Sequence, residues 1–129
     1  MRELLGLEDA ISVNMVEHAP HEKNLGWEFV YDENNTDPVL NIQFLSEAYY
    51  KADDDYTGRT TVPALIDVQT GKVVNNDYNR LTNYFEVNFR EFHGENAPDL
   101  YPEELREEID KLNIWLFHNV NNGVYKTAF

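Results

Sequence analysis

The sequence predicts an α/β domain that leads into the first helix of an all-helical region. The hydrophobic period alternates between that of strands and that of helices along the first part of the chain, and a helical stripe runs through the last part. With 129 residues the chain is long enough for one domain with a modest core. We expect a partial domain over 1–93, a linker over 94–101 and the start of a helical domain over 102–129.

Composition limits the classes of function. The chain has 24 acidic and 10 basic residues, a formal net charge of -14 and no cysteine. Phosphate recognition needs clustered Lys and Arg, so nucleic acid is not an expected partner, and the spread acidic residues predict a solvated surface. The absence of cysteine excludes disulfides and every cysteine-based redox or metal site in this sequence.

The first residues predict neither a membrane span nor a signal peptide. No apolar run reaches the length that crosses a bilayer, so we expect a cytoplasmic protein that does not contact membranes. Leu4, Leu5 and Leu7 are apolar without a capping residue before them, which is typical of a helix that has already begun.

Strand and helix periods alternate over the next part of the chain. Alternation from Ile11 to Val16 predicts a half-buried strand, and the polar stretch 17–39 predicts a long loop with one aromatic anchor. Ile42, Leu45, Ala48 and Tyr49 recur at helical spacing, which predicts a short helix over 41–52. The apolar run 60–67, the turn at Thr70-Gly71 and the run 72–75 predict a β-hairpin.

Two further helices are expected after the hairpin. Asn75 or Asn76 can cap a helix from about 77 to 92, with an inner face of Leu81, Tyr84, Phe85, Phe89 and Phe92. Pro102 suits the first turn of the last helix, whose apolar stripe comprises Leu105, Ile109, Leu112, Leu116 and Val120. Trp115 and Phe117 lie off that stripe, so we expect this helix to pack against more than one neighbour.

Pro63 stands near the start of an apolar strand. The order strand, helix, strand with proline, strand, helix resembles the second part of a thioredoxin-like domain, which usually has a cis-proline at that point. A cis bond there would leave the N–H and C=O of Val62 open to an extended peptide such as glutathione. The local sequence alone leaves open an ordinary trans-proline on an edge strand.

Short segments along nearly the whole chain carry a more specific pattern. They are Gly6-Leu7-Glu8 before Ile11-Ser12-Val13, Gly26-Trp27-Glu28-Phe29, Gly58-Arg59 before Thr61-Val62-Pro63, Val74-Asn75-Asn76-Asp77, Asp99-Leu100-Tyr101-Pro102 and Val120-Asn121-Asn122-Gly123-Val124-Tyr125-Lys126. In order and approximate spacing these segments resemble the glutathionyl-hydroquinone reductases, the Xi class of the glutathione transferases. The last segment is the most specific.

The resemblance implies removal of glutathione from glutathionyl-hydroquinones. In that family a cysteine thiolate attacks the thioether sulfur, and a second glutathione releases the mixed disulfide. The cysteine lies in a Cys-Pro-Trp-Ala motif at a helix N-terminus, where the helix dipole lowers the thiol pKa. This sequence begins about one helix later, so we expect a fragment without the nucleophile.

The resemblance also implies site residues, and for Trp27, Arg59 and Tyr125 a plainer alternative stays open. Trp27 would line the glutathione pocket or pack in the core, and Arg59 would pair a carboxylate or lie in an exposed loop. Val62 and Pro63 would form the main-chain clamp. Asp77 would hold the γ-glutamyl ammonium at a helix start, where Tyr78 replaces the family's serine. Tyr125 would face the quinone or be a buried aromatic residue.

The expected ligands are glutathione as cosubstrate and a small-molecule thiol conjugate, with no metal. His18 and His21 are the one histidine pair that suggests metal, and incidental proximity is the alternative. Loss of an inner strand of a thioredoxin-like sheet would expose strand edges, so we expect a homo-oligomer or a rearranged sheet. Two other functions stay open: a non-catalytic thioredoxin-like binding or scaffolding module, and a generic acidic interaction domain.

Overall fold

The computed structural model describes residues 1–19 and 26–128. Its contacts divide the chain into two units. Residues 12–78 form the strand-containing unit, and residues 1–11 with 79–128 form the helical unit. The division of the sequence at 93 and 102 stays a prediction.

Four short strands lie in the described part of the strand-containing unit, in two antiparallel pairs. β1 (Glu17–His18) pairs with β2 (Trp27–Glu28), and β3 (Leu65–Asp67) pairs with β4 (Lys72–Asn75). Glu17 lies opposite Glu28 in the first pair, and Leu65 lies opposite Asn75 in the second. β1 and β2 lie within the stretch from which we predicted only a loop, so that prediction was incomplete.

The predicted β-hairpin is confirmed, and its turn chemistry explains where it closes. Asp67 Oδ1 accepts the N–H groups of Gln69 at 2.8 Å and Thr70 at 3.3 Å, while Gly71 takes a φ of 66°. An aspartate that bonds the main chain two residues on is a frequent turn former, and glycine takes a positive φ without steric cost. The first strand begins at Leu65, later than the expected residue 60.

The helix predicted over 41–52 is confirmed as α2 (Leu45–Ala52). Glu47 in its first turn accepts the N–H groups of Phe44 at 2.8 Å and Gln43 at 2.9 Å, which satisfies donors that a helix N-terminus leaves without partners. The buried residues recur at helical spacing and are Leu45, Ser46, Ala48 and Tyr49. This face places Tyr49 inside the unit.

The predicted strand at 11–16 is wrong. These residues form no regular element, and Val13 and Met15 are each 65% exposed. The side chain of Asn14 binds Asp32 and Asp37, and its Oδ1 accepts the N–H of Met15. Alternation of apolar and polar residues describes one side of a strand, whereas a strand also needs a neighbour, and no described segment pairs with this one.

The helical unit begins with α1 (Arg2–Leu5), which ends at Gly6 with a φ of 68°. Leu5 and Leu7 are fully buried. The N–H of Gly94 donates to the carbonyl of Leu5 at 2.8 Å, and a Cβ on Gly6 would lie 2.9 Å from the nitrogen of Gly94. The absence of a side chain at Gly6 therefore permits this close approach of two main chains.

α3 (Leu81–Asn88) begins later than predicted, and a 3₁₀ turn (Arg90–Phe92) follows it. Asn75 does not cap this helix, because its Oδ1 accepts the N–H of Asp77 at 2.8 Å and holds a turn there. Leu81 is buried, but Phe92 is 52% exposed, so its assignment to the inner face was wrong.

The C-terminal part is helical from Glu103 onward. A 3₁₀ turn (Glu103–Leu105) leads into α4 (Arg106–Leu116), a π-helical segment (Phe117–Asn121) and α5 (Asn122–Ala128). The expected apolar stripe is only half-buried at best, and Leu112 is 54% exposed. None of the helices in the described ranges has the length and hydrophobicity needed to cross a bilayer.

Tyr101 connects three segments of this unit. Its hydroxyl donates to the carboxylate of Asp110 at 2.8 and 2.9 Å, and Asp110 also accepts a hydrogen bond from Asn83 at 3.0 Å. Arg106 lies 5.1 Å from the ring centroid of Tyr101. Burial and the bond to Asp110 raise the pKa of Tyr101 above its usual value.

Candidate functional site

The loop 59–63 precedes β3, and the unit fixes it at Thr61. The N–H of Thr61 donates to the Tyr49 hydroxyl at 3.2 Å, and that hydroxyl donates to the carbonyl of Thr61 at 2.7 Å. Asn76 Nδ2 donates to Thr61 Oγ1 at 3.3 Å. All three polar groups of Thr61 therefore have partners within the strand-containing unit.

The main-chain groups of Val62, unlike those of Thr61, have no hydrogen-bond partner among the described residues. Both its N–H and its C=O are therefore open, and the residue as a whole is 39% exposed. The Val62-Pro63 bond is cis, as the resemblance implied, and that prediction is confirmed. An open donor and acceptor on one residue can pair with an extended peptide as a strand does.

Arg59 lies at the other end of the loop and is exposed. Its carbonyl accepts a hydrogen bond from the Tyr56 hydroxyl at 2.9 Å. Its guanidinium bonds to no acceptor in the described part of the chain. A guanidinium in this state can form a two-point pair with a carboxylate from solution.

Trp27 lies close to the same loop, because Gly26, the residue before it, packs against Thr60. It is half-buried on β2, where its ring meets the His18 ring edge-on at 5.3 Å. Gly26 has a φ of 82°, and a Cβ there would lie 2.7 Å from Thr60 Oγ1. The structure therefore brings the segment that carries Trp27 to the residue that follows Arg59.

Asp77 and Tyr78 follow β4 and are exposed. The contact between Asn76 and Thr61 places this segment beside the loop, since Asn76 directly precedes Asp77. Both residues precede α3, which begins at Leu81, so the expectation that they open the helix was wrong. A ligand bound at Asp77 would contact the Asp77 side chain and the turn that carries it, not a helix N-terminus.

Tyr125 lies in the helical unit, on α5, where its side chain is 67% exposed. It is not buried, so the alternative of a core aromatic residue was wrong. Its assignment to the quinone site stays a prediction.

Of the two histidines predicted as a possible metal-binding pair, the structure describes only His18. His18 lies on β1, and His21 lies outside the described residues. Among residues 1–19 and 26–128 no group of three or more His, Asp or Glu is placed to hold a metal ion.

A separate cleft of about 230 Å³ lies in the helical unit, and sequence reasoning did not identify it. Its lining includes Arg90 and Asp99, whose charged groups are 3.6 Å apart, and His93, which bonds to the carbonyl of Phe85 at 2.9 Å. The buried carboxylate of Glu86 accepts the N–H of Leu100 at 3.3 Å. These contacts attach the segment 93–100 to α3 and to the 3₁₀ turn that follows it.

Tyr49 and Tyr56 bond to the main chain of loop 59–63 through their hydroxyls, and the sequence analysis did not predict these contacts. Tyr49 was interpreted only as part of the apolar face of a helix. A tyrosine at a core position signals that its hydroxyl needs a buried partner, but the sequence does not say which one.

Comparison with known proteins identifies the class first. A glutathione transferase from Gordonia bronchialis has a solved structure that matches with a TM-score of 0.87 and 43% identity, over 96% of this chain and 38% of that one. The Xi glutathione transferase of Phanerochaete chrysosporium matches with a TM-score of 0.84 and 40% identity, over 99% of this chain and 44% of that one. No protein-family model matches the sequence.

A curated relative narrows the class. Glutathionyl-hydroquinone reductase YqjG of Escherichia coli is 39% identical over 131 aligned residues, which are 100% of this chain and 39% of that protein. Its glutathione-bound structure matches with a TM-score of 0.82. In sequence and in structure the chain is similar over its whole length to the Xi class of the glutathione transferases, with part of a thioredoxin-like domain followed by part of a helical domain. It spans about two fifths of the length of the curated relatives that it matches.

Proposed function

We propose that the strand-containing unit binds glutathione, with the main chain of Val62 as the central recognition group. The observation that carries the proposal is the contrast between Thr61, whose polar groups all have partners, and Val62, whose N–H and C=O make no hydrogen bond to a described residue. Glutathione is an extended peptide, and it pairs with such a residue as one strand pairs with another.

Four side chains around Val62 complete the proposed site. Arg59 forms an ion pair with a carboxylate of the tripeptide. The ring of Trp27, on β2, lines the pocket that holds the tripeptide. Asp77 holds the γ-glutamyl ammonium, with Tyr78 beside it in place of the family's serine. Pro63 forms the main-chain clamp together with Val62. Tyr125, on α5 of the helical unit, is proposed separately to face the quinone.

The whole protein, we propose, reduces glutathionyl-hydroquinones with glutathione, the activity named for its curated relatives. This sequence contains no cysteine, so the residues here bind and orient the tripeptide and supply no thiolate. The ligand class is a small-molecule thiol conjugate together with glutathione itself. We further propose a division into a partial domain over 1–93, a linker and a helical part from 102.

Calorimetric titration of the chain with glutathione tests the proposal. We expect saturable binding that Trp27→Ala abolishes or weakens by more than tenfold, since the ring is a large contact surface. Trp115→Ala is the matched control, because Trp115 is 56% exposed on α4 in the other unit. That variant is expected to bind as the unmodified chain does.

Two outcomes would oppose the proposal. Absence of binding at millimolar glutathione would favour the non-catalytic scaffolding module, and stabilisation by neither glutathione nor a quinone conjugate would favour the acidic interaction domain. Equal binding by both tryptophan variants would remove Trp27 from the site.

Arg59→Gln provides a smaller test. Because an exposed ion pair contributes little, we expect the affinity for glutathione to fall by about twofold to fivefold, and by less at high salt.

A further inference from the structure

The hydroxyl of Tyr49 bonds to both main-chain groups of Thr61, the residue that directly precedes Val62. We propose that Tyr49 is a positioning residue for the recognition site at Val62. This inference rests on the proposed function, because it names the group that holds the binding loop in place. Tyr49 itself would not touch the ligand.

The position of Tyr49 makes its hydroxyl a fixed point. The residue is only 3% exposed, and it lies on the inner face of α2. Its ring centroid is 5.1 Å from that of Tyr56. A side chain packed on one face of a helix has little rotational freedom, so the place of its hydroxyl is determined by α2 and not by the loop.

The bonds also determine which main-chain groups of the loop stay available. Tyr49 occupies both the donor and the acceptor of Thr61, and Asn76 occupies its hydroxyl. The next donor and acceptor along the chain are those of Val62, which bond to no described residue. An arrangement prepared in this way binds more tightly because the ligand does not have to order the loop.

Tyr56 supports the same loop at a second point. Its hydroxyl donates to the carbonyl of Arg59 at 2.9 Å. A Cβ on Gly58 would lie 2.5 Å from this hydroxyl, so the glycine allows the chain to pass close by. The two phenols therefore hold the loop at Arg59 and at Thr61, both of which precede Val62 in the sequence.

The closing experiment compares Tyr49→Phe with Tyr50→Phe. Tyr49→Phe removes the hydroxyl and keeps the ring, whereas Tyr50 is the next residue on the same helix and is 48% exposed. Glutathione affinity is measured by calorimetry on the whole chain, well below its melting temperature. Amide exchange of Thr61, Val62 and the β3 residues is measured by NMR without ligand.

We expect Tyr49→Phe to bind glutathione about tenfold more weakly, because both hydrogen bonds to Thr61 are lost and the ligand then has to order the loop. The Thr61 amide should exchange faster and the Val62 signal should shift, while β3 amides stay protected and Tyr50→Phe behaves as the unmodified chain. Unchanged affinity in Tyr49→Phe would overturn the inference. Faster exchange throughout β3 with unchanged affinity would show a merely structural role and would overturn it too.

Failure of the proposed function is distinguishable from failure of this inference. If the unmodified chain does not bind glutathione, the proposed function is wrong, and the exchange measurement then decides the role of Tyr49. A Thr61 amide that is insensitive to Tyr49→Phe would overturn the positioning role. Faster exchange at Thr61 alone would retain it for whatever ligand the loop accepts.

Discussion

The two units differ in how their polar and apolar groups are placed. Among the described residues of the strand-containing unit two carboxylates are buried, Asp37 and Glu28, each 3% exposed and each accepting hydrogen bonds from two or more donors. The helical unit also buries one carboxylate, that of Glu86 on α3, but its α4 and α5 carry large apolar side chains on their surface. More than half of the surface of Ile114, Trp115 and Tyr125 is exposed.

This difference indicates where the fold depends on single side chains. A buried carboxylate is costly unless its oxygens are bonded, so its donors fix the loops that carry them. An exposed apolar side chain gains little from the folded state, and its removal costs little. The strand-containing unit should therefore be sensitive to single substitutions, and the surface of α4 and α5 should be tolerant.

The largest expected effect comes from the apolar core. Phe29 is 3% exposed, and Phe29→Ala is expected to lower the free energy of unfolding by about 3–5 kcal/mol, because it removes buried surface and leaves a cavity. Trp115→Ala on α4 is expected to lower it by less than about 0.5 kcal/mol. Denaturant unfolding followed by circular dichroism measures both. Similar losses in the two variants would show that Trp115 is buried in solution and would break the comparison.

A smaller loss is expected from a buried carboxylate. Asp37 Oδ1 accepts the N–H groups of Val39 at 3.0 Å and Leu40 at 2.6 Å, and Oδ2 accepts a hydrogen bond from Asn14. Asp37→Ala leaves these donors without their acceptor, so we expect a loss of about 2–3 kcal/mol in calorimetric unfolding. Asp54→Ala, at an exposed position, is the control and should be neutral. A neutral Asp37→Ala would contradict the prediction.

In the helical unit, Tyr101→Phe is expected to cost about 1.5 kcal/mol near neutral pH, because the phenol bonds to the charged Asp110. Burial and that bond raise the pKa of Tyr101 in the folded state, so its contribution is fully present below the unfolded value of about 10. It is lost as the pH rises through the raised folded pKa. The difference in unfolding free energy between the two proteins, measured from pH 8 to pH 11, should therefore fall at the alkaline end. A difference that stays constant with pH would count against this linkage.

The smallest effect is expected on the solvated side of α4. Lys111 Nζ lies 2.5 Å from Glu107 Oε1, but both side chains are more than two thirds exposed, at 72% and 84%. Lys111→Gln should lower stability by about 0.3–0.5 kcal/mol at low salt and by nothing measurable in 1 M salt. Thermal melts at the two salt concentrations test this. A loss above 1 kcal/mol, or one that salt does not change, would show that the pair is less solvated than the structure indicates.

Local chemistry made part of this fold predictable. The hairpin around Gly71 and the helix α2 were predicted because turn residues and helical spacing act within a few positions. The strand expected at 11–16 failed, because alternation carries no information about a partner strand. The start of α3 was misplaced because Asn75 has two competing uses, a helix cap and a turn, and only the folded chain decides between them.

The candidate site was predictable to a similar degree. Arg59, Val62 and Pro63 are neighbours in sequence, so the resemblance located them together. The contact of Gly26 with Thr60 and the bond between Asn76 and Thr61 join segments far apart in sequence, and no local pattern specifies them. The hydroxyl of Tyr49 was missed for the same reason, since its acceptor lies 12 positions away.

The open main chain of Val62 has a consequence for how such a site would be found and how it would evolve. Every amino acid except proline carries the same N–H and C=O, so an alanine scan would leave this recognition group intact at position 62. The side chain at 62 is then free to vary. The sequence constraint falls instead on residues that hold the loop in place without contacting the ligand. Sequence variation would be expected to spare Tyr49 and Gly26 more strictly than the residue that does the binding.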